Sequence, residues 1–350
     1  MSQDRFRAEP VIKTIAMPYD INGLEVHTGI SIGIAIYPDD GLGTETILAN
    51  ADLALYTAKR AGRRTWQLFD HRLQKQLQAQ RSLEQELRHA LDRHQFELHY
   101  QPLINIADCR ISGLEALIRW NHPKHGQLLP DRFIAATEQN RLIIPLTEWV
   151  LDEAAAQLRR WASIGLDSHK IAVNVSPILL KLQGFVELFD RCVAKTGCDP
   201  RRMVIEITEG VLIDEAKAIP VLKALRERGV TVAVDDFGMG YSSMARLRKL
   251  PVDVLKIDRS FLANVAKDAG DASIVESLVN VGHSLGKKVV AEGVENVEQF
   301  SFLEGVGCDF AQGFFINRPM AATDIPHWFE QWQSSRLHCV SELGLRQPKI

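Results

Sequence analysis

Six strand-like runs, each ending in an acid, an amide or a lysine, constrain this chain more than any other feature. They are Ile111-Ser-Gly-Leu-Glu115, Lys170-Ile-Ala-Val-Asn174, Met203-Val-Ile-Glu206, Thr231-Val-Ala-Val-Asp235-Asp236, Val252-Asp-Val-Leu-Lys256 and Lys288-Val-Val-Ala-Glu292. Helix-like stretches separate them: Pro130 to Asn140, Pro145 to Ile164, Leu179 to Thr196, Ala216 to Gly229, Ala272 to Gly286 and Glu295 to Gly305. Strands alternating with helices predict a parallel sheet. A doubly wound sheet produces a similar string, but polar ends from so many strands converge only when the sheet closes. The fold class is therefore α/β, a (β/α)8 TIM-like barrel of about 240 residues. Phe96 to Ile104 and Ile111 to Trp120 are joined by a short loop and pair antiparallel, which makes the first strand the exception. Phe310 to Phe315 is the last strand and Ile325 to Gln333 a closing helix.

Strand parity supports closure. Side chains alternate faces, so Val204, Glu206 and Thr208 share one side, as do Ala233 and Asp235, then Val254, Lys256 and Asp258, then Val290 and Glu292. Charges at the ends of apolar strands need partners, because an unpaired buried charge costs several kcal/mol, roughly. Each residue alone has a plain explanation: a solvated Glu, an Asn in a turn, an Asp-Asp pair opening a loop, a Lys256–Asp258 ion pair, a packing Gln. Repetition at equivalent points of several strands makes those explanations the weaker account.

The residue types then select the chemistry. Glu115, Asn174, Glu206 and Asp235 are hard oxygen donors, suited to Mg2+ or Mn2+ rather than zinc. Asp235 and Asp236 are adjacent, so one can bridge two metals while the other binds the second, and Glu292 can complete that site. Two such ions clamp a phosphate ester and lower the pKa of a water between them. Lys256 can steady that water or accept its proton, and Gln312 can hold the water or the second metal's shell. Arg119, on the strand face of Glu115, can grip a phosphate or pair with a neighbouring acid. Glu209 either braces the Asp235-Asp236 loop or begins a helix as an N-terminal acid. Gly238-Met-Gly-Tyr-Ser-Ser243 lacks the third glycine of a dinucleotide fingerprint and reads as a mobile loop beside the metals. His122 and His125 have poor ligand spacing and read as surface residues.

Upstream of the barrel (residues 94–335) lie a partial α/β fragment (1–70) and a linker helix (71–93); a tail (336–350) follows it. The fragment holds β-rich runs from Val11 to Pro18 and Leu24 to Pro38, then a helix from Glu45 to Gly62. The linker carries Leu73, Leu77, Leu83, Leu87 and Leu91 at helical intervals. With 41 basic against 44 acidic residues, the chain lacks the positive field needed to coat a nucleic-acid polymer. Its five cysteines show no CxxC pair, which points to a reducing compartment. No secretory leader or membrane-spanning stretch is visible. The reading is a cytoplasmic chain without membrane contact of its own, whether free or cut from a longer membrane-tethered parent.

From about Ser82 to Gln333 the chain resembles the EAL-domain phosphodiesterases, which hydrolyse cyclic di-GMP to linear pGpG. The likeness rests on Tyr100-Gln-Pro102, Glu115-Ala-Leu117 followed by Arg119, Asn174-Val-Ser176, Glu206-Ile-Thr-Glu209, Asp235-Asp-Phe-Gly238, Lys256-Ile-Asp258, Glu292-Gly-Val-Glu295 and Gln312-Gly313. Each motif is weak; their order and spacing together are specific. The resemblance implies two Mg2+ or Mn2+ ions on Glu115, Asn174, Glu206, Asp235, Asp236 and Glu292. It implies catalytic roles for Lys256, at the water, and for Glu209 and Gln312. Gln101, Leu117, Arg119, Asp258 and Pro319 would face the substrate. It also suggests a homodimer through the loop holding Met239, a position where the family usually has Thr or another small residue. Ser31 to Pro38 and Ala51 to Gly62 resemble the carboxy-terminal half of a GGDEF diguanylate cyclase domain. The Gly-Gly-Asp-Glu-Phe signature is missing, so no cyclase activity is expected. The rival reading is a silent cyclic di-GMP receptor acting through protein contacts. Such receptors normally lose a ligand or the lysine, and none is lost here. An unrelated enolising barrel with a lysine base is a remote third.

Overall fold

A computed structural model describes residues 5–342 apart from 167–168, 183, 211–214 and 240–243. The chain divides into two compact units, Met1–Glu86 and Leu87–Ile350, and the division falls inside the helix His71–Asp92. On that helix Leu87 is buried, while Leu83 and Leu91 are half-buried.

In the first unit the helix Thr44–Arg60 packs on a parallel pair, Ile32–Ile34 with Trp66–Leu68. Gly33 permits the approach: a Cβ there would stand 2.1 Å from the Ala51 carbonyl oxygen. Tyr19–Ile21 and Leu24–Val26 form a hairpin turning through Asn22-Gly23, both at positive φ. One expectation fails. Val11 to Pro18 is not β-rich, because Arg5–Ile15 is a helix and Thr14 Oγ1 donates to the Pro10 carbonyl at 2.9 Å. Its β-branched residues favour a strand locally, a weak preference that the continuous helical turn overrides.

The second unit is the barrel. Its strands are β1 (Phe96–Asn105), β2 (Ile111–His122), β3 (Lys170–Asn174), β4 (Met203–Thr208), β5 (Thr231–Phe237), β6 (Val254–Ile257), β7 (Lys288–Ala291) and β8 (Phe310–Gln312). Strands β2 to β8 run parallel in sequence order; β1 closes the ring, antiparallel to both β2 and β8. Outward-facing Ile171, Val173, Ile205, Leu255 and Val289 are buried under the helices. The helices keep the expected order, with two breaks: Pro130 to Asn140 is a 3-10 turn, Pro130–Arg132, followed by the helix Ile134–Gln139, and Leu179 to Thr196 is two helices, Pro177–Lys181 and Phe185–Thr196, parted at Gly184 with φ +96°. No helix among the described residues is long and apolar enough to cross a membrane.

The N-terminal end of the barrel is held by an ion cluster. Asp309, just before β8, accepts from Lys288 Nζ at 2.6 Å, from the Val289 amide at 2.9 Å and lies 2.9 Å from His283 Nε2. Burial pushes its carboxyl up, but these donors outweigh burial and hold it below the usual range. A carboxyl lowered in the folded state stabilises above its unfolded pKa, about 3.9, and loses that contribution as pH falls through both values. Asp309→Asn is expected to cost about 1–3 kcal/mol at pH 7, and the difference from the parent should shrink toward pH 3 in urea melts.

Candidate active site

The inward polar residues of the strand ends meet at the C-terminal mouth. Lys256 of β6 is 2% exposed and stands at their centre. Its Nζ lies 2.5 Å from Glu292, 2.7 Å from Glu206, 3.4 Å from Glu115 and 3.6 Å from Asp235. Glu115 is bound from two other strands: Asn174 Nδ2 donates to one carboxylate oxygen at 2.6 Å and Gln312 Nε2 to the other at 2.6 Å. Gln312 also donates to Gln101 Oε1 at 3.2 Å, and Gln101 donates to the Asn317 carbonyl at 3.1 Å. Seven strands, with Glu292 directly after β7, thus contribute to one hydrogen-bonded and ion-paired cluster.

Two local devices aim it. Glu115 is not at a strand end, since β2 continues to His122. It reaches the mouth because β2 pairs with the long β1, Glu115 opposite Gln101. Adjacent aspartates would ordinarily face opposite sides of a strand. Here the pairing of β5 with β6 shifts register between Val234 and Phe237, and Asp236 takes φ +55°. Such a bulge re-aims side chains beside a site, and Asp236 remains electrostatically coupled to Asp235, Asp258, Lys256 and Glu209.

Electrostatics set the protonation states. Burial works against the Lys256 ammonium, but Glu115, Glu206, Glu292 and Asp235 outweigh it and hold its pKa well above the usual lysine value. Burial raises Glu115, yet Lys256, Gln312 and Asn174 bring its pKa below normal. Glu206 is pushed well up by burial and by Glu115, Asp235 and Glu292. Glu292 is pushed up to about 7, by burial first and then by Asp235 and Glu115. Asp236 is raised by burial, Asp235 and Asp258. One ammonium does not neutralise this many acids.

That excess is the test of fit for divalent cations. The donors are hard oxygens, and the surplus negative charge is what such ions neutralise. No three His, Cys, Asp or Glu among the described residues already form a cation cage; the acids gather on Lys256 instead. The donor set fits Mg2+ or Mn2+ in type and charge.

The remaining predicted residues fall around this cluster. A cavity of about 190 Å³ at the mouth is lined by Gln101, Leu117, Glu292, Gln312, Arg259 and Phe314, among others. Leu117 is half-buried there. Arg119 is buried; its Nη1 donates to the Ile118 carbonyl at 3.0 Å, and burial lowers its pKa despite Glu115 and Glu97. Glu209, directly after β4, is buried and its charge helps raise Asp236. Asp258 caps the turn Arg259–Phe261, accepting from the Ser260 amide at 2.9 Å. Pro319 is half-buried beyond β8, outside the residues lining that cavity. Met239 is 61% exposed and receives a hydrogen bond from Ser260; residues 240–243 of its loop lie outside the described residues. His122 is buried rather than superficial, its Nδ1 accepting the Lys124 and His125 amides in a tight turn.

Sequence reading missed Arg259 and Phe314. Gly293 at φ +71° brings Arg259 to the mouth, since a Cβ there would stand 2.3 Å from the Arg259 Cβ. Phe314 is 48% exposed, with the Arg318 guanidinium 4.2 Å from its ring centre. An aromatic two residues past Gln312 was the available signal.

An acid cluster at the C-terminal mouth of a (β/α)8 barrel is the arrangement of a barrel enzyme. The EAL domain pattern matches residues 84–319, and the diguanylate cyclase GGDEF domain pattern matches residues 3–65. The chain belongs to the EAL domain family. It is similar to the bifunctional diguanylate cyclase/cyclic di-GMP phosphodiesterase MucR of Pseudomonas aeruginosa, 41% identical over 91% of this chain and 47% of that protein. It is also similar to the cyclic di-GMP phosphodiesterase PdeR of Escherichia coli K12, 32% identical over 93% of this chain and 49% of that protein. The chain thus spans about half the length of these curated relatives. Among solved structures, the PaMucR phosphodiesterase in complex with c-di-GMP superposes with a TM-score of 0.67 at 40% identity, covering 70% of this chain and 99% of that one.

Proposed function

We propose that the barrel hydrolyses one phosphodiester bond of cyclic di-GMP to give linear pGpG, with Mg2+ or Mn2+. The observation that carries this reading is the convergence of Glu115, Glu206, Asp235 and Glu292 on Lys256 in a chain of the EAL family. Glu115, Asn174, Glu206, Asp235, Asp236 and Glu292 would hold two divalent ions. Bound there, the ions would stabilise charge developing on the phosphodiester and acidify the attacking water.

The protein's own groups do the rest. Lys256 presents a buried ammonium to the reacting oxygens and holds the acids in place. Gln312, whose amide N–H groups donate to Glu115 and Gln101, would orient a water through its side-chain carbonyl oxygen. Arg119 supplies a positive charge beside Glu115, and Leu117 and Gln101 shape the wall against the substrate. Asp258 and Pro319 would border the substrate, and Glu209 would steady the Asp235-Asp236 bulge. The domain is proposed to act in the cytoplasm as a homodimer through the loop that holds Met239, which sedimentation of the full chain would check.

Purified protein with Mn2+ is expected to convert cyclic di-GMP to pGpG, and excess chelator to reduce turnover to background. Tight binding without hydrolysis under those conditions would select the receptor reading instead. Incubation with GTP is expected to yield no cyclic di-GMP, because the matched cyclase segment, residues 3–65, lacks the Gly-Gly-Asp-Glu-Phe signature. Cyclic di-GMP appearing from GTP would overturn that expectation.

A further inference from the structure

The barrel is not filled. A cavity of about 440 Å³ occupies its interior and runs from the N-terminal rim to the underside of Glu115, Glu206 and Gln312. The register explains it. The inward positions between rim and mouth are Ala172, Val204, Ala233, Val254 and Val290, with Leu103 and Phe310 from β1 and β8. Barrels of this class normally pack the interior with layers of bulky branched residues. Two alanines and three valines leave that space open. Exposure shows which walls border the space: inward Ala172, Val204, Val254 and Leu103 are half-buried, whereas inward Ala233 and Val290, at 1% and 2%, are as closed off as the outward Ile171, Val173, Ile205 and Leu255.

The rim gives the cavity a sign. Lys170, Thr231, Asp253 and Lys288 border it there. Asp253 is paired with Arg226 at 2.8 Å, and Lys288 with Asp309 at 2.6 Å. Lys170 Nζ donates to Thr231 Oγ1 at 2.9 Å and has no carboxylate partner among the described residues. One uncompensated ammonium and one hydroxyl therefore stand at the entrance to an apolar shaft. From Lys288 to Glu292 is four residues, about 13 Å of strand, or about 10 Å along a tilted barrel axis.

We propose that this shaft is a second binding site, distinct from the mouth, for a linear monocarboxylate with an aliphatic chain of about eight carbons. The carboxylate meets Lys170 and Thr231, and the chain lies along Leu103, Val204, Val254 and Val290. Such sites combine an apolar lining with a few polar groups that fix orientation. The proposal does not rest on the phosphodiesterase reading: its carboxylate site is at the opposite rim, and the inner end of the shaft lies beneath Glu115, Glu206 and Gln312.

Isothermal titration of the full chain with octanoate tests it, with octylamine as the control of equal length and opposite charge. Octanoate is expected to bind with a dissociation constant of roughly 0.1–1 mM, and octylamine not to bind. Lys170→Gln, an exposed substitution, should weaken octanoate at least about tenfold. Ala172→Leu, which fills the shaft, should abolish binding in a protein whose thermal melt stays cooperative; should that variant misfold, Lys170→Gln decides alone. No octanoate heat up to about 10 mM, equal binding of octylamine, or octanoate affinity unchanged by Lys170→Gln overturns the proposal.

Discussion

Glu115→Ala is expected to lower turnover of cyclic di-GMP by about 10³-fold or more, a loss of about 4 kcal/mol in transition-state stabilisation. The size follows from what the carboxylate joins. It accepts Asn174 and Gln312 on its two oxygens and faces the Lys256 ammonium, so removing it unties groups from three other strands at once. Stability should respond far less. One buried amide, Gln312, loses an acceptor at about 1–3 kcal/mol, while the exposed Asn174 can turn to water. Against that, one negative charge leaves a cluster in which Glu206 and Glu292 are already raised by crowding, and relief of that repulsion offsets part of the cost. The measurement is therefore a pair: steady-state turnover and a thermal melt. A variant that keeps a tenth of the parent's turnover would remove Glu115 from the chemistry. Glu115→Gln separates shape from charge, because it keeps the volume and the hydrogen-bonding reach while losing the anion. It should be as inactive as the alanine variant.

The barrel was legible because apolar strands buried on both faces leave few places for charge, so a charge at each exit marks a shared rim. That logic located Glu206, Asp235, Lys256 and Glu292 without any partner being visible. It failed where backbone hydrogen bonding or strand pairing overrode a local pattern. Val11 and Ile12 look like strand residues and lie in a helix. Glu115 looks like a strand terminus, but β2 runs on to His122 because β1 offers it a long antiparallel partner. The side on which Asp236 emerges depends on a register shift that alternation does not encode. The open interior has the same origin. Gly113, Ala172 and Ala233 are plainly small in the sequence, but their joint effect appears only when closure sets them around one axis. Arg259 reached the mouth through the positive φ of Gly293, a backbone property rather than a side-chain pattern.

Lys256→Met, close in volume but uncharged, is expected to abolish turnover and to destabilise the metal-free protein by about 3–5 kcal/mol. The ammonium lies within 3.6 Å of all four of Glu115, Glu206, Asp235 and Glu292, and it is 2% exposed. Deleting it leaves buried acids facing each other without a counter-charge. They can respond only by taking up protons or by spreading apart. The same reasoning predicts a rescue in stability that activity does not share. Mn2+ should raise the melting temperature of Lys256→Met by more than it raises the parent's, since the variant has more uncompensated negative charge to offer. Turnover should stay lost, because the position that presents a proton-carrying nitrogen to the reacting oxygens is empty. The parent's acids hold the Lys256 pKa well up, so the residue acts first as a fixed positive charge and hydrogen-bond donor. It becomes a proton acceptor only where added positive charge draws those acids away. Equal melts for variant and parent without cations, together with equal Mn2+ responses, would show that Lys256 does not hold the acids together.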